Sequence, residues 1–233
     1  MPFIADNTTN AGSQVTGLRD RKKARRRLEI LQCAAQLFAR DGVDATTMTA
    51  IAVEADVSPP TVFNYFKSKE NILYALIFEG SARERDQLSQ HERKTNCQFN
   101  KVLGDFFTSL SRNTLQIASK RVWRYAEATF IRRPSSEFGK QFNYTDNELR
   151  KLISLFLDNY DIKLRNGQDS DLEFLSRLFF DLWNSHYMAF IKNDFMTDDA
   201  HEAELRQTAN TLVSLLFDDE FAAHSPLKNP ETF

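Results

Sequence analysis

Seven of the nine residues from Arg19 to Arg27 are lysine or arginine, with Asp20 the only acid among them. So dense a cluster of cations suits the neutralisation of phosphates along a nucleic-acid backbone, although a charge run can equally be a solvated surface. Beyond it, residues 47–66 hold two short helical segments joined by a tight turn at Asp56-Val57. Reading duplex DNA needs such a pair: one short helix enters the major groove with its leading residues at base edges, and another bridges the backbone and holds it there. Small helical hairpins also occur in α-proteins with no such role. The residues that other chemistries require are not grouped. His91, His186, His201 and His224 are scattered, none at a metal-ligand or triad-like spacing, and no glycine-rich phosphate loop is present. Cys33 and Cys97 are too few and too differently placed for a disulfide scaffold or a metal site. No metal, no cofactor and no catalysis are therefore expected, a helical enzyme being the remote alternative.

The elements that position these groups read as helices throughout. No proline falls between Thr61 and Arg133 or between Ser135 and Ser225, and proline-free tracts of this length suit helices because proline removes a helical hydrogen bond and clashes with the preceding turn. An apolar share of 42% with 20 phenylalanines supplies a bulky core. A first helix begins near Lys22, with Ile30, Cys33, Ala34, Leu37 and Phe38 on one stripe, and Gly42 is suited to a left-handed stop after it. Thr47 caps a second helix, Ser58 caps a third that opens on Pro59 and Pro60 where proline costs least, and Ser68 opens a fourth that runs towards Arg93. Longer helices follow at about 99–118, 120–132, 144–165, 170–194 and 197–217. The helix over 170–194 is apolar around most of its circumference and must be buried on more than one side. Residues 1–18 read as a disordered tail and Pro226–Phe233 as a loose one. Met1–Leu18 lacks the apolar stretch of an export signal, and no apolar run nears the roughly 20 residues of a membrane span. A cytoplasmic location with no membrane partner is expected.

The run Thr47-Met48-Thr49-Ala50-Ile51-Ala52, followed by Ala55-Asp56-Val57-Ser58-Pro59-Pro60-Thr61-Val62-Phe63-Asn64-Tyr65-Phe66-Lys67-Ser68-Lys69-Glu70, resembles the DNA-binding signature of the tetracycline-repressor (TetR) family. The resemblance covers about residues 22–78, and the rest of the chain is similar only in length and helical layout. It implies an all-α fold with an N-terminal three-helix helix-turn-helix domain and a larger C-terminal helical domain for ligand binding and dimerisation. The expected divisions are a tail over 1–18, the DNA-binding domain with its basic arm over 19–70, a linking helix over 71–93, the ligand and dimer domain over 94–222 and a tail over 223–233. The residues implied for DNA contact are Thr47, Ser58, Pro59, Pro60, Thr61, Asn64, Tyr65, Lys67 and Lys69, with Arg25 and Arg26 from the arm. Thr47 would offer its hydroxyl to a phosphate. The two prolines would read only by van der Waals contact, while Thr61, Asn64 and Tyr65 would add hydrogen bonds. Lys69 would meet a phosphate at the start of the fourth helix. Two positions depart from the family pattern: Asp56 stands where glycine is common in the turn, a residue that tolerates left-handed geometry, and Phe63 stands where tyrosine is common, which removes one phenol contact. The arm would follow the backbone or enter the minor groove.

The same resemblance implies a homodimer through helices about 170–194 and 197–217, a palindromic double-stranded operator, and a small-molecule effector that tilts the linking helix and releases the DNA. Repression is the usual direction, with activation left open. The expected cavity draws on the inner faces of the longer helices. Candidate lining residues are Phe107, Leu110, Trp123, Glu127, Phe130 and Phe156, followed by Tyr160, Phe180, Trp183, Asn184 and Tyr187. Aromatic residues at helical spacing serve equally as plain core. Glu127 is a carboxylate in an apolar-aromatic stretch, so an aromatic or cationic effector could use it through charge and stacking; a surface salt bridge to Arg124 or Arg121 is the other reading. A regulator whose C-terminal domain binds a protein instead of a small ligand is the alternative, and a cavity beside Trp123 and Trp183 would count against it.

Overall fold

The computed structural model describes residues 17–89 and 94–228. The tail expected over residues 1–18 falls, apart from Gly17 and Leu18, outside the described residues, as do His91 and residues 229–233. The fold is all-α. In chain order the helices are α1 (Leu18–Arg40), α2 (Met48–Glu54), α3 (Pro59–Tyr65), α4 (Lys69–Tyr74), a π-helical turn (Ala75–Glu79), α5 (Gly80–Ser89), α6 (Phe99–Ile117), α7 (Lys120–Arg132), α8 (Glu137–Asp158), α9 (Leu172–Lys192), α10 (Asp198–Leu216) and α11 (Asp219–His224). Extended pairing among the described residues is confined to two isolated bridges, Tyr160 with Leu227 and Leu164 with Phe217.

The first three helices form because local chemistry starts and stops each one. α1 buries Ile30, Leu31, Ala34, Leu37 and Phe38, while Cys33 lies at the edge of that stripe with its thiol 3.5 Å from the Glu54 carbonyl oxygen. Gly42 ends the helix at φ +94°, and a Cβ built there would stand 3.1 Å from the Arg121 guanidinium. Gly42→Ala therefore forces a side chain into a left-handed backbone and against a cation. A loss of about 1–2 kcal/mol is expected, visible as a lower urea midpoint at unchanged slope. Thr47 caps α2 by accepting from the Ala50 amide at 3.0 Å. Asp56 takes the turn at φ 50°, the geometry that glycine would otherwise supply. α3 carries its two prolines in the first turn and is anchored by Val62.

α4, the π turn and α5 run on as one rod. Gly80 brings this rod against α6 closely enough that a Cβ would lie 2.7 Å from Ile117. α6 packs on α10 and α8 on α9, around a core of rings in which Phe99 touches Tyr160, Phe217 and Phe221 at 5.2, 5.3 and 4.9 Å between centroids. The buried cluster is continuous from α1 to α11, so no break in packing marks the division expected between residues 70 and 71.

Three features differ from the sequence reading. α8 begins seven residues before the expected 144–165 and ends seven before it, because Ser136 caps it through the Gly139 amide at 3.1 Å and Phe138 packs on Phe78 at 5.0 Å. Beyond Asn159 the chain turns away to pair with distant residues, the Asp161 amide donating to the Pro226 carbonyl at 2.9 Å. α11 is an additional helix, capped by Asp218 through the Glu220 and Phe221 amides. Pro226–Lys228 are held, not loose: the Lys228 amide donates to the Asn159 carbonyl at 2.9 Å, and buried Ser225 donates to the Cys97 carbonyl at 2.7 Å.

Candidate nucleic-acid interface and adjoining cavity

α3 buries Val62 and turns Pro60, Phe63 and Asn64 outward, with Thr61 and Tyr65 half-exposed. A groove separates its outer face from the start of α1, lined by Arg19, Lys22, Lys23, Thr61, Asn64 and Tyr65 among others. The basic run is therefore helical from Leu18 onward, and not an extended arm over its described length. Its cations are held on a helical scaffold beside Thr61, Asn64 and Tyr65. Arg25 and Arg26 are partly committed to Glu29, at 3.5 and 3.0 Å. Arg27 makes a two-pronged pair with Glu79 at 2.7 and 2.5 Å and lies over the Phe66 ring, which fixes α1 to the π turn.

The remaining candidates differ in what their polar atoms already do. Thr47 accepts the capping bond and keeps its own hydroxyl proton to donate. The Ser58 and Thr61 hydroxyls pair at 2.8 Å, so only one of the two protons is available to a ligand. Lys67 is exposed. Lys69 is engaged: its ammonium donates to the carbonyls of Asp44 and Thr46 at 2.9 and 3.0 Å, tying down the loop that precedes Thr47. Lys69→Met should consequently lower stability by roughly 0.5–1.5 kcal/mol, the net worth of a hydrogen-bonded tether whose Asp44 carbonyl water can reach. If the role is this tether, the salt dependence of DNA affinity stays unchanged, whereas a phosphate contact would show as a slope smaller by about 0.9.

A cavity lies where the rod of α4 and α5 meets α6, α7, α8 and α9. The space between atoms there is about 650 Å³, part of it open to solvent. Leu110, Trp123, Glu127, Trp183, Asn184 and Tyr187 line it. The other five candidates belong to the core: Phe107 packs on Phe179 and Phe130 stacks behind the wall on Phe142. Phe156 stacks on Phe106, Tyr160 abuts Phe99, and Phe180 lies beneath the Arg150 guanidinium. One amphipathic stripe supplies both sets, so spacing alone does not separate wall from core.

Glu127 does not pair with Arg124 or Arg121. Arg124 donates to the Ile191 carbonyl and Asp194, and Arg121 donates to the Arg40 carbonyl at the end of α1 at 2.7 Å. Burial, and then the charge of Asp146, push the Glu127 carboxyl up to about 7. Burial likewise lifts Asp146 to about 6 against the opposing pull of Arg150. Asp146 is a lining residue that sequence reasoning passed over, hidden among the polar neighbours Asn143, Thr145 and Asn147. The stripe Phe142, Asp146, Leu149 is the signal that marks it. Behind the wall, the Trp183 indole donates to the Ser111 hydroxyl at 3.0 Å, and that hydroxyl meets the His201 imidazole at 2.9 Å. Burial takes the imidazole down to about 4, so His201 is neutral near pH 7 and stacks on Phe190 at 4.2 Å.

Residues 30–76 match the sequence profile of bacterial regulatory proteins of the tetR family. The match spans α2, the turn, α3 and the start of the rod that the groove and caps single out. Residues 30–76 thus carry the DNA-binding domain of the TetR family. The repressor KstR of Mycobacterium tuberculosis is 24% identical over 203 residues, which are 85% of this chain and 83% of that protein. Among solved structures, a TetR-family transcriptional regulator from Streptomyces coelicolor superposes with a TM-score of 0.60 at 18% identity, over 82% of this chain and 81% of that one. FadR from Bacillus subtilis in complex with stearoyl-CoA superposes with a TM-score of 0.54 at 18% identity, over 80% and 96%. The chain is a transcriptional regulator and not an enzyme. No helix among its described residues is long and apolar enough to cross a membrane.

Proposed function

We propose that this regulator is a ligand-released repressor that binds a palindromic operator as a homodimer. The observation that carries the reading is the groove between α1 and α3, where Thr61, Asn64 and Tyr65 lie beside Arg19, Lys22 and Lys23. α3 reads base edges through Thr61, Asn64 and Tyr65 and through apolar contact from Pro59, Pro60 and Phe63. Thr47, Ser58 and Lys67, with the cations of α1, grip phosphates. Repression is supported by the similarity to KstR, itself a repressor. Residues 19–70 serve the DNA, 71–93 link, and 94–222 serve the effector and the partner subunit.

Dimerisation is supported by the outer face of α9 and α10. Phe174 and Leu215 are exposed there, with Leu178, Leu182 and Leu212 half-exposed, although the opposite side of α9 is fully packed. Two such subunits place their α3 helices in successive major grooves, about 34 Å apart. The small-molecule reading is favoured over a protein partner by the cavity that Trp123 and Trp183 line. Effector binding must favour the DNA-incompetent state, or nothing shifts.

Selection of tight binders from a pool of random duplexes tests the reading. Recovery of an inverted repeat bound by a dimer is expected. Asn64→Ala should relax the preference at one base pair, while Lys67→Ala weakens all duplexes alike. Enrichment of no sequence, or binding as a monomer, would refute it.

A further inference from the structure

In the cavity between the rod and α6–α9, carboxylates, aromatic faces and an unanswered hydroxyl converge. Its lining carries Glu84, Glu127 and Asp146 against a single cation, Arg85. Neither Glu127 nor Asp146 makes a hydrogen bond or an ion pair with a described residue. Arg124 is held by Asp194, and Arg150 lies over the Phe180 ring and donates to Asn147, its Nε keeping no partner. Tyr187 lines the same space, is 4% exposed, and its hydroxyl has no partner. Its ring is stacked on Trp183 at 5.3 Å and meets Trp123 edge-on at 6.0 Å. Lys192 acts on Glu127 and Arg150 on Asp146 only through space; a buried carboxylate without a directly bonded counter-charge is costly, and a bound cation answers it. Aromatic faces add to the attraction for a cation once water is excluded.

We propose that this cavity takes a lipophilic organic cation, a protonated amine on an apolar body, with its nitrogen between Glu127 and Asp146 and its apolar part against Trp123, Trp183 and Leu110. The Tyr187 hydroxyl accepts an N–H of the amine. A carboxylate or phosphate would instead meet three acids and a single arginine, Arg85, whose Nη1 is also without a partner. The proposal rests on reading the cavity as the effector site. It names the class of effector and assigns Asp146 a direct part in recognising it.

The chain has two tryptophans, and both line the cavity, so intrinsic fluorescence excited beyond the absorbance of a simple phenyl group reports on this site. Three probes of one shape, 4-phenylbutylamine, 4-phenylbutanol and 4-phenylbutyrate, are titrated into the full chain. The amine is expected to bind at least about tenfold more tightly than the alcohol, a ratio equivalent to about 1.4 kcal/mol, and the carboxylate more weakly than either. Glu127→Gln and Asp146→Asn should each remove the preference for the amine while leaving alcohol binding in place, which also reports that the cavity is folded. Equal affinity for amine and alcohol, tighter binding of the carboxylate, binding of none, or an amine preference untouched in both variants overturns the assignment. Operator binding is followed in the same samples. An amine that binds in the expected order without weakening the operator complex leaves the class standing and overturns release by this cavity instead.

Discussion

Glu127→Gln raises the stability of this regulator above pH 7 and leaves it unchanged below about pH 4. The sign follows from which state holds the proton. The folded chain keeps the Glu127 proton up to about pH 7, whereas the ordinary value is 4.5. Between those values the folded state binds more protons than the unfolded one, so stability falls as pH rises and the loss is complete above the folded value. At 1.36 kcal/mol for each pH unit, the burden amounts to up to about 3 kcal/mol. Glutamine is neutral in both states and carries none of it. For a chain of this size each kcal/mol corresponds to roughly 2–4 °C, so thermal melts at pH 8 should separate the two proteins by several degrees. Melts at pH 4 should coincide. A gain of equal size at both pH values would mean better packing and no relief of charge. Asp146→Asn behaves alike over a lower window, from 3.8 to about 6.

Replacing Arg19, Lys22 and Lys23 together by alanine is the second large effect. These cations face the groove beside α3 and make no ion pair with a described residue, unlike Arg25 and Arg26, which lean on Glu29. Removing one phosphate-bound cation should lower the salt slope of log K by about 0.9, and the triple variant should bind on the order of 10²- to 10³-fold more weakly at 0.1 M salt. Base preference should survive, because Thr61, Asn64 and Tyr65 are untouched. The side chains replaced are exposed, so the melting curve should not move. An unchanged slope in a titration from 50 to 200 mM salt would place these cations away from the DNA.

Residues 47–66 are legible from local chemistry alone. The Thr47 cap, the left-handed Asp56 and the proline pair all act within a few residues of themselves, and a sequence displays such relations directly. Lys69 shows the boundary of that approach. Its ammonium sits at a helix start, where phosphates bind, yet the carbonyls it meets lie 25 and 23 residues earlier. The cavity was half legible for a related reason: Trp123 and Phe130 lie on one stripe, and only the neighbouring helices decide which ring faces the space. The held C-terminal segment rests on pairing between Leu227 and Tyr160, a contact without a periodic trace.

The π turn at Ala75–Glu79 has a consequence for how the two ends of the linking rod face their neighbours. An α-helix advances about 100° per residue, so one extra residue wound into a wider turn resets the angular phase of everything after it. Ile72 and Leu73, buried before the turn, and Ser81, Glu84 and Arg85, which look into the cavity after it, thus do not share one helical lattice. The rod presents one bearing to the N-terminal helices and a different one to the cavity.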